Sequence, residues 1–343
     1  MIEINHNRIR NTKQVTPELM KEIRAFLETK NFRGSVMELP DYYTDCPSVI
    51  RYQGRFYMYF IAISKDVSKS GYETHLAASD DLLHWGYIGR ILCRDDTRCW
   101  DSKQIAGYAA LYDTNLNRGC ELMPAADGRY YLTYLAGADD GYEPDPLFMG
   151  IASSSDPLNK DAFHRSDKPI LSPNDPDARL FETKTLYKST VIRDTEELTG
   201  FKYVMYYNAK GYDNRERIYM AVSDDMLNWK RYGRLPVIDD ITGDPACLIT
   251  GDPMIIKYND AYVMNFFKYR MGGGAFDTFA VSYDLVNWVE WLGEPTKKPL
   301  KENPALNVHA HKPWVVTWED RVYHFFCACT SDNRRYIALS TNF

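Results

Sequence analysis

No stretch of this chain approaches the length of a membrane-spanning helix, and the opening residues, Met1 to His6, lack the apolar core of a secretory leader. Both absences predict a cytoplasmic protein with no membrane partner. Positive charge is also short: 41 Lys and Arg face 47 Asp and Glu, for a net charge of −6, which argues against nucleic acid as a partner. Cysteine is scarce and odd in number, at 7, with no Cys-x-x-Cys pair of the sort that seats zinc. A disulfide framework is not expected, and Cys327 and Cys329 fall on one face of one strand, a poor geometry for a bridge. The triplet Gly272-Gly273-Gly274 lacks the strand-to-helix setting of a phosphate loop and reads as a tight connection. Helical periodicity is confined to one place. Thr16-Pro17 makes a sound helix start, and Leu19, Ile23, Phe26 and Leu27 follow at helical spacing to about Lys30.

What is abundant is aromatic, strand-forming sequence, with 26 Tyr in all. It is organised by a recurring segment: Ser79-Asp80-Asp81-Leu82, Ser154-Ser155-Asp156, Ser223-Asp224-Asp225-Met226, Ser282-Tyr283-Asp284-Leu285 and a fading Ser340-Thr341-Asn342. The intervals are 75, 69, 59 and 58 residues, and three copies end in Trp85, Trp229 or Trp288. An alternating apolar run precedes each copy. A strand-built repeat of this length predicts an all-β fold, a five-bladed β-propeller with a short N-terminal helix. Residues 1–40 read as an extension and 41–343 as the propeller. The fifth repeat stops after three strands, so a strand from the extension is expected to close the ring and cover the exposed edge. The repeated motif itself reads as turn chemistry with a packed indole.

Aligning the repeats places one residue group at the head of each channel-lining strand: Asp45 and Cys46, Cys120 and Glu121, Tyr187 and Lys188, Asp252, and His311 with Lys312. Charged groups are seldom buried unless paired or used. Convergence of three carboxylates with two lysines and a histidine therefore reads as an active site, or alternatively as an ion-pair network plugging the channel. Asp45, Glu121 and Asp252 are the candidate catalytic carboxylates. Asp101, Lys103, Glu182, Lys188, His311, Lys312, Trp100 and Trp314 are the candidate substrate-binding residues. One carboxylic acid to protonate a leaving oxygen, and a second carboxylate to attack or to activate water, suffice to cleave a glycosidic bond. Aromatic rings suit the faces of sugars, so the expected partner is an oligosaccharide.

The segments Asp45-Cys46-Pro47-Ser48-Val49-Ile50 and Gly54-Arg55-Phe56-Tyr57-Met58, with the Ser-x-Asp-Leu-x-x-Trp repeat, resemble the five-bladed glycoside hydrolases of family 43 and the related family 32. The resemblance implies removal of a terminal sugar, furanose or acidic, with Asp45 as base or nucleophile and Glu121 near the blade-two carboxylate. It also implies that His309 or His311 meets a central metal ion, so His311 is the candidate metal ligand. No cofactor is required, and a structural calcium in the channel is compatible with that histidine. Two departures stand out: Cys46 intervenes between Asp45 and the proline, and Tyr187-Lys188 occupies the place of the family's acid. The acid must then come from Glu121, Glu182 or Asp252, and Glu121 ranks first for its expected place on an innermost strand. The lysines leave an anionic sugar open, and also phosphorolysis of the family 130 type. A non-catalytic carbohydrate-binding propeller is the alternative outside enzymes.

Overall fold

The structure, a computed structural model, describes residues 1–4, 13–240 and 242–343; residues 5–12 of the extension, with Asn5 and His6, lie outside it. Strand β1 (Asn31–Met37) precedes five antiparallel meanders. Blade one comprises β2 (Tyr42–Tyr52), β3 (Arg55–Ser64), β4 (Glu73–Ser79) and β5 (Gly86–Leu92). Blade two comprises β6 (Gln104–Ala110), β7 (Tyr130–Gly137), β8 (Phe148–Ser154) and β9 (His164–Arg165). Blade three comprises β10 (Thr185–Arg193), β11 (Tyr203–Lys210), β12 (Glu216–Ser223) and β13 (Lys230–Arg231). Blade four comprises β14 (Cys247–Tyr258), β15 (Ala261–Arg270), β16 (Gly274–Ser282) and β17 (Val289–Glu290). One parallel pair, Glu216 with Ile249, joins blades three and four. Blade five has β18 (His309–Trp318), β19 (Arg321–Cys329) and β20 (Arg335–Thr341).

The outer strand of blade five is β1, antiparallel to β20 with Asn31 opposite Thr341. The first and last strands of the sequence thus share one sheet, and no edge is left where the repeat runs short. The innermost strands β2, β6, β10, β14 and β18 pack each against the next, and β18 to β20 pack back onto β2, which closes a ring. Each blade is sandwiched between two others, so β4 and β6 are buried along their whole length.

The Ser-x-Asp repeat forms the turn from the third to the fourth strand. In three copies the serine Oγ accepts from the backbone N–H groups two and three residues on, and the aspartate Oδ1 accepts from the next two. The indole N–H of Trp85, Trp229 and Trp288 donates to the carbonyl of Leu82, Met226 and Leu285. Those three residues have φ of 65°, 68° and 66°. The aspartate's ring of accepted bonds is what holds an apolar residue in the left-handed region.

Helix α1 (Pro17–Phe26) starts as its sequence predicts, with Thr16 Oγ1 accepting from Leu19 N at 3.2 Å. Met20, Ile23 and Leu27 are buried, and Phe26 packs on Tyr258 of blade four at 5.0 Å. Among the described residues no helix is long and apolar enough to cross a membrane.

Blade two departs from the expected register. Its innermost strand is β6, and not the segment around Cys120 to Leu122. That segment makes isolated bridges, Glu121 with Arg51 and Leu122 with Tyr112. The small residues of β6 conceal a strand, because Ala and Gly carry weak β preference. They are small for a reason: a Cβ at Gly107 would lie 2.7 Å from Thr74 Oγ1 of the neighbouring blade.

Candidate active site

Four innermost strands break register near their heads: between Asp45 and Ser48, Leu186 and Ser189, Gly251 and Met254, and His311 and Trp314. In three of them a proline follows the re-aimed residue, as Cys46-Pro47, Asp252-Pro253 and Lys312-Pro313. Proline cannot donate to the ladder, so the strand bulges there. Cys46, Asp252 and Lys312 take φ of 46°, 55° and 64°, and all three side chains reach a pocket of about 220 Å³ at the channel mouth. The same pocket is lined by Tyr108, Tyr142, Glu143, Lys188, Asn208, Glu216, His309, His311 and Arg335.

Of the expected site residues, the structure brings Asp252, Lys188, His311 and Lys312 to this pocket. Asp45 adjoins it from behind and is fully buried, at 0% exposure. It accepts from Lys312 Nζ at 2.8 Å, Arg335 Nη1 at 3.2 Å and the Cys46 N–H at 2.9 Å. Burial alone would push its carboxyl up; Lys312, and after it Arg335, outweigh that and hold it well below the carboxylate range. A carboxylate so weakly basic and so enclosed is a poor proton acceptor, which corrects the assignment of Asp45 as base or nucleophile. It anchors two cations of the pocket wall.

Glu121 is corrected more sharply. It pairs with Arg51 at 2.8 Å. Arg51 lies five residues along β2 from Cys46, roughly 15 Å at the rise of an extended strand. The remaining candidates sit elsewhere. Asp101 is buried against Arg98 at 2.6 Å and the Tyr134 hydroxyl at 2.9 Å. Lys103 pairs with Asp96 at 2.5 Å, and Trp100 stacks on Tyr134. Glu182 is enclosed by Arg179, Arg231 and the Tyr207 hydroxyl inside blade three. Trp314 is fully buried beneath the channel, its indole N–H donating to Val49 O at 2.7 Å.

Two carboxylates that the sequence reading passed over take the place of these. Glu216 opens β12, and its Oε2 accepts from Asn208 Nδ2 at 2.7 Å. Asn208 Oδ1 in turn accepts from the Asp252 N–H at 3.2 Å, so one amide holds two elements of the site. Gly251 makes room for it: a Cβ there would lie 2.7 Å from Asn208 Nδ2. Burial, and then the nearby Glu143 carboxylate, push Glu216 up to about 8. Glu143 lies on the β7–β8 loop at φ 50°. That loop is tied down by Gln104 Nε2, which donates to the carbonyls of Asp139 and Gly141 at 2.9 Å each. Arg335 Nη1 also donates to the Tyr142 hydroxyl at 2.8 Å. Burial raises Glu143 as well; Lys312 and Arg335 oppose the rise, Asp45 and Asp252 add to it, and the net shift is upward. The two carboxyls thus stand in unlike surroundings: Glu216 is held by an amide and raised strongly, whereas the rise of Glu143 is opposed by Lys312 and Arg335.

Two further groups of the pocket, Cys46 and His311, are held neutral. Burial and then Asp45 push the Cys46 thiol well up, and it donates to Asp252 Oδ2 at 3.3 Å. Burial and then Lys312 hold His311 well below its ordinary value, so it is neutral. Lys188 Nζ, buried without a hydrogen-bond partner in the protein, lies 5.9 Å from the Tyr108 ring and 5.6 Å from that of Trp314. A lysine side chain over two rings within the pocket offers a calcium ion no oxygen ligand. Among the described residues the one group of three donors close enough to share a metal is His311, Cys327 and Cys329, whose thiols are poor calcium ligands. The channel therefore does not fit the calcium ion that the resemblance allows.

No protein-family profile and no curated protein sequence matches the chain. Among solved structures, a glycoside hydrolase is 36% identical with a TM-score of 0.86, over 96% of this chain and 96% of that one. BT0996, solved as an RGII complex, is 37% identical with a TM-score of 0.86, also over 96% of each protein. A thermostable family-43 glycoside hydrolase shares the fold, with a TM-score of 0.64 at 15% identity over 90% of this chain and 92% of that one. A β-propeller whose mouth gathers several carboxyls, matched along nearly its whole length at 36% identity, places this chain among the glycoside hydrolases.

Proposed function

We propose that the enzyme removes a terminal sugar from an oligosaccharide, with Glu216 as general acid and Glu143 as the second carboxylate. The observation that carries this assignment is the elevation of Glu216 to about 8, which keeps it protonated at neutral pH, beside a Glu143 whose smaller rise Lys312 and Arg335 oppose. Glu216 protonates the glycosidic oxygen as the bond breaks. Glu143 supplies negative charge to the oxocarbenium-like carbon, by attack or through water. Asp252, steadied by the Cys46 thiol, is placed to accept from sugar hydroxyls. Lys312 and Arg335 are engaged by Asp45, and Lys103 by Asp96 outside the pocket, which leaves Lys188 as the pocket lysine that could still meet an anionic group of the sugar. A compact pocket, in place of a groove across the face, favours cleavage at the end of a glycan.

A relative in complex with RGII directs the first trial to oligosaccharides of that origin. The test is a screen of RGII-derived and other plant oligosaccharides and of aryl glycosides, with products read by mass and anomer by NMR. Loss of single sugars from glycan ends is expected, abolished by Glu143→Gln and Glu216→Gln. Release of internal fragments, or full activity in both variants, would overturn the assignment.

A further inference from the structure

In blade five, His311 of the pocket wall and two cysteines behind it form a group of three soft donors to which the proposed hydrolysis assigns no role. Cys327 and Cys329 are two residues apart on β19, which puts both thiols on one face. His311 is the Cα partner of Cys327 across the β18–β19 ladder. One ring nitrogen of His311 and the two Sγ atoms all lie within 4.8 Å of one another, and all three residues are buried. His311 Nδ1 stands 3.1 Å from the Cys327 carbonyl oxygen. A carbonyl can only accept, so the neutral ring carries its proton on Nδ1 and its lone pair on Nε2. A backbone carbonyl fixing one nitrogen is how metal-binding histidines are commonly oriented. Cys327 Sγ also meets the Thr44 carbonyl, at 3.9 Å.

We propose that His311, Cys327 and Cys329 bind a borderline-soft divalent cation of the zinc class. Two thiolates and one imidazole match such an ion and mismatch calcium or magnesium. Around tetrahedral zinc the ligand atoms stand about 3.5–3.8 Å apart, so the cluster needs to contract by only about an ångström. Binding releases the two thiol protons to solvent and involves no electron transfer. The ion with two thiolates is neutral overall, which lets it sit beside Lys312 and Arg335 without added repulsion. Water completes a fourth position. Bound there, the ion braces His311 and the adjoining Lys312 bulge, and through them the wall that holds Asp45.

The test uses the full-length protein, reduced and stripped of metal with a chelator, then titrated with Co²⁺. One equivalent is expected to bind with a thiolate-to-cobalt charge-transfer band in the near ultraviolet, displaced by one equivalent of Zn²⁺, with a higher Tm. Cys327→Ser with Cys329→Ser should abolish the band while the metal-free variant keeps its near-ultraviolet dichroism. Should the double variant not fold, Cys329→Ser alone is expected to weaken Co²⁺ binding by more than about 10-fold. No band from the reduced wild type, a band that survives the cysteine changes, or a Cys327–Cys329 disulfide in protein purified without oxidant would each overturn the proposal.

Discussion

Replacing Glu216 by Gln removes the proton that the proposed mechanism donates and keeps the shape of the side chain. With Glu216 at about 8, about nine-tenths of the enzyme carries that proton at pH 7; at the ordinary value of 4.5 about three molecules in a thousand would. Burial and Glu143 therefore multiply the competent fraction roughly 300-fold. Loss of a positioned general acid costs about 10²- to 10⁴-fold in rate where the leaving group is a sugar or alkyl alcohol. The assay is kcat/KM for a series of aryl glycosides of graded leaving-group acidity. Glu216→Gln should be severely slowed with poor leaving groups and nearly unimpaired with the best. Its pH profile should also lose the fall above about pH 8 that the wild type shows as Glu216 ionises. Stability supplies an independent check. A folded value raised above the unfolded one favours folding while the group is protonated, and that advantage is lost as pH rises from 4.5 through about 8. Glu216→Gln, which cannot ionise, should therefore melt above the wild type at pH 8 and gain less at pH 5. An equal loss for every leaving group, with the alkaline fall intact, would refute the acid role.

Other consequences follow from the same geometry. Asp45→Asn leaves Lys312 and Arg335 without their buried carboxylate, and a loss of about 3–5 kcal/mol is expected in denaturant unfolding at pH 7. Because Asp45 is held low, that difference should shrink as pH falls below about 4, and a constant difference down to acid pH would refute the ion-pair account. Glu121→Gln breaks only a part-exposed pair with Arg51, so kcat/KM should stay within about twofold and stability within about 1 kcal/mol. Asn208→Ala removes a bond that favours ionised Glu216; the alkaline limb should move up by about one pH unit, and an unmoved or lowered limb would count against it.

Much of the propeller was legible because its signals are local. The Ser-x-Asp turn closes its hydrogen bonds within six residues, and the proline that follows Cys46, Asp252 and Lys312 forces each bulge where it stands. Blade two escaped because β6 is written in Ala and Gly, whose fit depends on Thr74 of another blade. That misplacement carried Glu121 into the expected site and left the true blade-two contribution, the loop bearing Glu143, unread. Glu216 stands at the head of the third strand of its blade, where no bulge or following proline marks it as a channel-mouth residue.

By itself the sequence determined a five-fold all-β repeat, its closure by the N-terminal strand, and the mouth of the channel as the place to look, because turn residues, prolines and strand alternation act over a few residues. Which charges are used and which are merely paired was decided by the tertiary structure alone. Asp45, read as a base through the family resemblance, is paired with cations from residues 312 and 335, whereas Glu216 is raised by burial and a carboxylate 73 residues away. Protonation depends on desolvation and on charges brought together across blades, and neither quantity exists until the ring has closed.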